Sequence, residues 1–134
     1  TYWVQTGTTS PTAWLMAVPV GLLITAIIVV NNLRDIEQDR AGGKRTLAVR
    51  LGAGATKAEF ALCVGGAYAV VTAAVIAGLL PVAALAAWLS LPLAVVTTRM
   101  IFTQTGTALN LALARTGQTT LAFSVLFALG TAVP

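Results

Sequence analysis

TAWLMAVPVGLLITAIIVVNNLRDIEQDRAGGKRT, residues 12–46, changes character at one point. Up to Leu33 it is uncharged and apolar, close to the ~20 residues a helix needs to cross a bilayer. Pro11 suits the first turn of such a helix. From Asn31 to Thr46 the stretch then holds three of the four carboxylates of the chain and four of its eight basic groups. An apolar span that ends in a dense charged segment puts that segment at a membrane surface.

The rest of the chain agrees with lipid as the solvent. Of 134 residues, 57% are hydrophobic and 9% charged, against about 25% charged in soluble domains. Further apolar segments at about 58–80, 82–101 and 116–133 join the one at about 12–33. The fold class expected is all-α, a multi-pass transmembrane helical bundle with four spans. Residues 1–10 read as a loop behind a helix end at Tyr2-Trp3. The loop 34–57 carries Arg34, Arg40, Lys44, Arg45, Arg50 and Lys57, the turn at Pro81 is uncharged, and the next loop carries Arg99 and Arg115. By the positive-inside rule the first and third of these loops are cytoplasmic, in a multi-pass protein of the cell membrane. The net charge of +4 is therefore a topology signal, and no nucleic-acid partner is implied. Histidine is absent and Cys63 is the single cysteine, which excludes imidazole chemistry, the common zinc sites and a disulfide framework. The start shows no signal peptide and Pro134 falls within an apolar run, so the chain is expected to be a piece of a longer membrane protein.

A helix continued one or two turns past Leu33 sets Asn31, Asp35 and Asp39 at i, i+4 and i+8, along one face. Carboxylates one turn apart repel unless a cation lies between them. Mg²⁺ favours one or two carboxylates, several waters and phosphate oxygens, and Asn31 or Asn32 can add an amide oxygen. Gly42-Gly43 breaks the helix, which lets Lys44 and Arg45 return as phosphate donors. On charge pattern alone the same stretch is equally a solvated turn with topogenic arginines.

The longer string is more specific. Asn31–Gly52, NNLRDIEQDRAGGKRTLAVRLG, resembles the second aspartate-rich motif of the UbiA-type intramembrane prenyltransferases. It is most similar to the branch that prenylates 1,4-dihydroxy-2-naphthoate in menaquinone biosynthesis, where the motif reads N-N-x-R-D-x-x-x-D and then G-K-x-T-L-A-V-x-L-G. The stretch from Leu109-Asn110 to Thr116-Gly117 resembles that branch too. The resemblance implies a nine-span bundle around a cavity open to lipid, of which this chain is the C-terminal part. It implies Mg²⁺ on Asp35 and Asp39 as the catalytic acids, diphosphate contacts from Lys44, Arg45 and Arg34, and supporting or substrate contacts from Asn31, Asn32 and Asn110. The implied partners are a polyprenyl diphosphate, an aromatic acceptor, the lipid bilayer, and N-terminal helices bearing the first aspartate-rich motif. No N-D-x-x-D precedes Asn31 here, so the isolated chain is expected to be inactive.

Other positions read more plainly. Arg99 and Arg115 are topogenic charges first and substrate contacts second. Lys57 and Glu59 read as interfacial. Leu62, Tyr68 and Phe123 read as helix packing before contact with a prenyl tail. Sister enzymes acting on 4-hydroxybenzoate, homogentisate, haem or a glycerol phosphate are the alternative within the resemblance. A CDP-alcohol phosphotransferase lacks its D-G-x-x-A-R here. A cation transporter segment calls for ionisable groups at mid-membrane depth, and a bare membrane anchor would be indifferent to loss of Asp35.

Overall fold

Ser10 and Pro11 open the first long helix. The Ser10 hydroxyl accepts from the Ala13 backbone N–H at 3.1 Å, and Pro11 occupies the first turn, where no N–H partner is needed. The computed structural model describes residues 2–133; Thr1 and Pro134, and the readings that rest on them, lie outside the described residues. A short helix α1 (Tyr2–Thr6) precedes α2 (Pro11–Arg34), and α3 (Ile36–Ala41) follows it across Asp35. Next come α4 (Leu47–Ile76), a 3₁₀ segment (Val82–Ser90) that runs into α5 (Leu91–Thr103), a 3₁₀ turn (Gly106–Ala108) and α6 (Leu109–Ala132). There is no strand among the described residues.

The second helix starts well before the position expected from hydropathy. Thr46 caps it, its hydroxyl accepting from the Val49 N–H at 3.3 Å, and the first turns lie among charged residues. Gly52, at φ 85° and ψ 167°, then bends the chain. Such a conformation is open to glycine at little steric cost, so a short surface segment and the spanning helix join at this corner. α6 likewise starts earlier than expected, taking in Asn110 and Arg115. α2, α4 and the 3₁₀–α5 unit are each long and apolar enough to cross a membrane. α6 matches α2 in length, at 24 residues, and falls short on apolarity because Arg115, Gln118 and a run of threonines occupy its first half.

Helix α2 packs on α4 and α6, and α6 packs on both the 3₁₀ segment and α5. The core is a seam of Leu23, Ala26, Val30, Phe60, Ala67, Val71, Ala112 and Phe123, all buried. Small side chains let the backbones approach, as packing between membrane helices requires. Polar groups inside find partners. The Tyr68 hydroxyl donates to Ser90 Oγ at 2.7 Å, and Ser90 in turn donates to the Ala87 carbonyl at 2.6 Å. Thr72, Thr97, Thr116, Thr119 and Thr120 each donate to the carbonyl four residues back, which satisfies the hydroxyl without water. Around the outside, Trp14, Ile28, Leu62, Leu121 and Leu129 are exposed apolar groups, as a lipid-facing surface needs.

All twelve charged residues lie toward one end of the bundle: the end of α2, α3 and the connections on either side of it, the start of α4, the end of α5 and the start of α6. The opposite end, with the Ser10, Gly78–Pro81 and Gly130 regions, has none.

Candidate functional site

The charged end is organised by two turns of backbone. The Asp35 N–H donates to the Asn31 carbonyl at 3.2 Å, and the Asp39 N–H donates to the Asp35 carbonyl at 2.8 Å. Asn31, Asp35 and Asp39 thus follow the helical i, i+4, i+8 course even though α2 formally ends at Arg34. After Ala41 the chain reverses through Gly42 and Gly43, the latter at φ 72°. The Lys44 N–H then returns to the Asp39 carbonyl at 2.9 Å. That reversal brings the Lys44 ammonium to Asp39 Oδ1 at 2.7 Å.

Asp39 is 6% exposed, and a carboxylate so enclosed needs a charged or hydrogen-bonded partner. Lys44 provides it while its own side chain stays 68% exposed. Asp35 is held differently. Arg34 Nε donates to its Oδ1 at 2.7 Å and Arg34 Nη2 to its Oδ2 at 2.6 Å, the two-pronged fork that only arginine offers. The same guanidinium donates to Asn31 Oδ1 at 2.9 Å and to Asn110 Oδ1 at 3.1 Å. Arg34 therefore ties the end of α2 to the first turn of α6, and it brings the two recognised stretches of sequence together.

The electrostatics follow from these contacts. The hydrogen-bonded Arg34 holds the Asp35 carboxyl below the usual carboxylate range, with burial acting the other way and the charges of Arg34 and Lys44 adding attraction. The Asp39 hydrogen bond raises the Lys44 ammonium above the usual lysine range, and Asp35 adds to this at longer range. Lys44 thus sits in the field of both acids.

The remaining predicted residues divide. Arg45 is exposed, with no hydrogen bond or ion pair among the described residues. Asn32 is half-buried and has no side-chain hydrogen bond among them. Arg34 and Lys44, expected to face a diphosphate, rest on the acids. Glu37 pairs with Arg40 at 2.8 Å, on the exposed side of α3. Arg99 and Arg115 are exposed; Arg115 reaches Gln118 at 3.4 Å, and neither lines the cavity beside Asp35.

That cavity, about 530 Å³, lies between the α2–α3 junction, the start of α4 and the 104–110 connection. Its walls include Arg34, Asp35, Lys57, Gln104, Leu109 and Asn110. Sequence reasoning missed Gln104 altogether and read Lys57 as merely interfacial. No spacing rule links the two, because only the antiparallel pairing of α4 with α5 brings them to one wall. A larger apolar hollow of about 640 Å³ opens between α4 and the 3₁₀–α5 unit, lined by Gly65, Tyr68, Thr72, Trp88 and Leu91 among others. Tyr68, read as packing, does pack: its ring lies edge-on to Phe123 at 5.1 Å and tilted against Trp88 at 5.4 Å.

Two hard-oxygen carboxylates on successive turns suit a small divalent cation that completes its shell with water and phosphate. Among the described residues no group of three or more His, Cys, Asp or Glu side chains gathers. The acid pair is therefore what this chain can offer such an ion.

A model of the UbiA prenyltransferase family matches residues 1–112. A Bacillus subtilis (strain 168) protein named 1,4-dihydroxy-2-naphthoate octaprenyltransferase is 31% identical over 131 residues, 96% of this chain and 42% of its own length. A protein of the same name from Haemophilus influenzae is 55% identical over 53 residues, 40% of this chain and 17% of its own length. Its Escherichia coli (strain K12) namesake is 51% identical over 51 residues, 38% of this chain and 17% of its own length. The chain spans less than half the length of each of these relatives. No solved structure matches it significantly.

Proposed function

The chain belongs to the UbiA prenyltransferase family, and from that premise we propose that it forms the C-terminal part of an enzyme that transfers a polyprenyl group from its diphosphate to 1,4-dihydroxy-2-naphthoate. The shared name of its relatives supports that acceptor. The observation that carries the reading is the acid pair Asp35 and Asp39, on successive turns and each joined to a cation at the charged end of an apolar bundle. We place that end on the cytoplasmic side of the cell membrane. The first aspartate-rich motif, which this chain lacks, would come from helices N-terminal to it.

In this reading Asp35 and Asp39 hold a divalent cation, taken to be Mg²⁺, which would supply positive charge to the leaving diphosphate. Lys44, which rests on Asp39, and the exposed Arg45 would add fixed positive charge where phosphate oxygens gain negative charge. Arg34 positions Asp35 through its fork and sets Asn31 and Asn110 around it. Buried Leu33 and Ile36 and the apolar helices below keep water from the allylic carbon, whose cation the electron-rich ring is to attack. The placement of every charge toward one end of the bundle counts against a cation path through the membrane.

The test is product analysis with the complete protein, a polyprenyl diphosphate and a panel of acceptors. Prenylated naphthoquinol is the expected product. Turnover of 4-hydroxybenzoate, homogentisate or haem in its place would transfer the protein to a sister activity, and no prenyl transfer to any acceptor would refute the reading.

A further inference from the structure

The cavity beside Asp35 has one feature the acid pair does not explain. Gln104 Oε1 is buried and has no hydrogen-bond partner, the only such side-chain atom among the described residues. Orphaned buried acceptors are costly and rare, and each calls for a donor. Gln104 lines that cavity, and the terminal torsion of a glutamine is soft, so its oxygen can turn toward a donor held there.

Lys57 lines the same cavity. Its ammonium donates to the Phe102 carbonyl at 3.1 Å, two residues before Gln104, and no carboxylate pairs with it among the described residues. A lysine has three donors, so two remain for a ligand. The acids on the cavity wall, Asp35 and Glu37, are already matched by Arg34 and Arg40. Lys57 is thus the uncompensated charge of the cavity, and it attracts an anion. Leu33, Ile36 and Leu109 give apolar wall, and about 530 Å³ is within the range of small-molecule sites.

We propose that this cavity seats the aromatic acceptor, with Lys57 pairing to its ring carboxylate and Gln104 accepting a hydrogen bond from a ring hydroxyl. The inference rests on the prenyltransferase reading for the identity of the ligand class, a hydroxylated aromatic acid. It goes further in assigning specificity to two residues outside both recognised motifs. The acceptor ring then lies against Asp35, next to the place where the prenyl carbon is released.

The test is direct binding of 1,4-dihydroxy-2-naphthoate to the complete protein by anaerobic titration calorimetry, alongside KM for both substrates. Lys57→Met should weaken binding of the acid at least about tenfold, the scale of one lost charged hydrogen bond, and should remove the preference for the acid over its carboxamide. Lys57→Arg, which keeps the link to the Phe102 carbonyl, should retain that preference. Gln104→Leu should weaken binding by about tenfold and remove the preference for the free hydroxyl over its methyl ether. KM for the polyprenyl diphosphate should stay put in all three. Unchanged affinity and preference in Lys57→Met and Gln104→Leu would overturn the assignment, as would a wild-type protein that binds no hydroxyaromatic acid. The wider reading fails separately, when no prenyl transfer occurs although the acid binds.

Discussion

Replacing Gly130 with alanine should loosen the uncharged end of the bundle. α6 crosses the 3₁₀ segment there with no room for a side chain: an added Cβ would overlap the Ala83 carbonyl oxygen and lie 2.7 Å from the Ala83 carbonyl carbon and 2.9 Å from Ala84 Cα. Carbon atoms settle at roughly 3.5–4 Å, so the two backbones must part by roughly 1 Å. Overpacking costs about 1–3 kcal/mol. The upper end applies here because all three clashing atoms are backbone and cannot rotate away. Separation also strips contacts from buried Ala84, Ala87 and Phe127. Against this stands the better helix propensity of alanine, worth about 1 kcal/mol, leaving a net loss of about 2 kcal/mol. Gly117 is the control, on the same helix with nothing within 4 Å of its added Cβ; Gly117→Ala should gain up to about 1 kcal/mol. The difference of about 3 kcal/mol corresponds to roughly 10 °C in Tm for a chain of this size, read by thermal unfolding in one detergent. Equal melting of the two variants, or a more stable Gly130→Ala, would refute the close crossing of α6 and the 3₁₀ segment.

Other expectations concern the charged end and the interior. Asp35→Asn and Asp39→Asn should each lower kcat/KM of the complete enzyme by about 10³-fold, several kcal/mol of transition-state stabilisation. The double variant should be little worse than the worse single one, because the pair acts as a unit; additive losses in steady-state assays would contradict this. Asp35 titrates below the ordinary carboxylate value, so its pairing with Arg34 adds stability that is fully present above that value and is lost only as pH falls through the depressed one. Difference infrared spectra against Asp35→Asn should therefore still show an ionised carboxylate at about pH 4, where an ordinary aspartate is half protonated. For Lys44, raised by Asp39, the contribution is present below the ordinary lysine value and disappears as pH rises through the elevated one. Tyr68→Phe removes the donor to Ser90 Oγ while Ser90 keeps the Ala87 carbonyl; the expected cost is about 1 kcal/mol, measured as a fall in Tm.

How far the sequence announces this arrangement depends on the range of the forces involved. The α2 start was legible because Pro11 acts locally, while the Ser10 cap was not read from the sequence. The course of Asn31, Asp35 and Asp39 followed from helical spacing, and the return of Lys44 from Gly42-Gly43. The α4 start was hidden because Arg50 and Lys57 depress local hydropathy, while the Thr46 cap and the bend at Gly52 build a surface helix regardless. The 3₁₀ winding of Val82–Ser90 has no local signature; it lies where Gly130 lets α6 press against Ala83 and Ala84. The meeting of Asn110 with Arg34 depends on how α6 docks beside α2, so spacing alone was silent. Gln104 and Lys57 share a wall only after α4 and α5 pair, which no periodicity encodes.

The acid pair as the grip on a metal diphosphate is tested most directly by Mn²⁺ electron paramagnetic resonance of the complete protein, titrated with polyprenyl diphosphate. The account predicts that bound Mn²⁺ rises with diphosphate, broadens its phosphorus resonances, and is lost in both Asp35→Asn and Asp39→Asn. Undiminished, diphosphate-dependent Mn²⁺ binding in those two variants would contradict it.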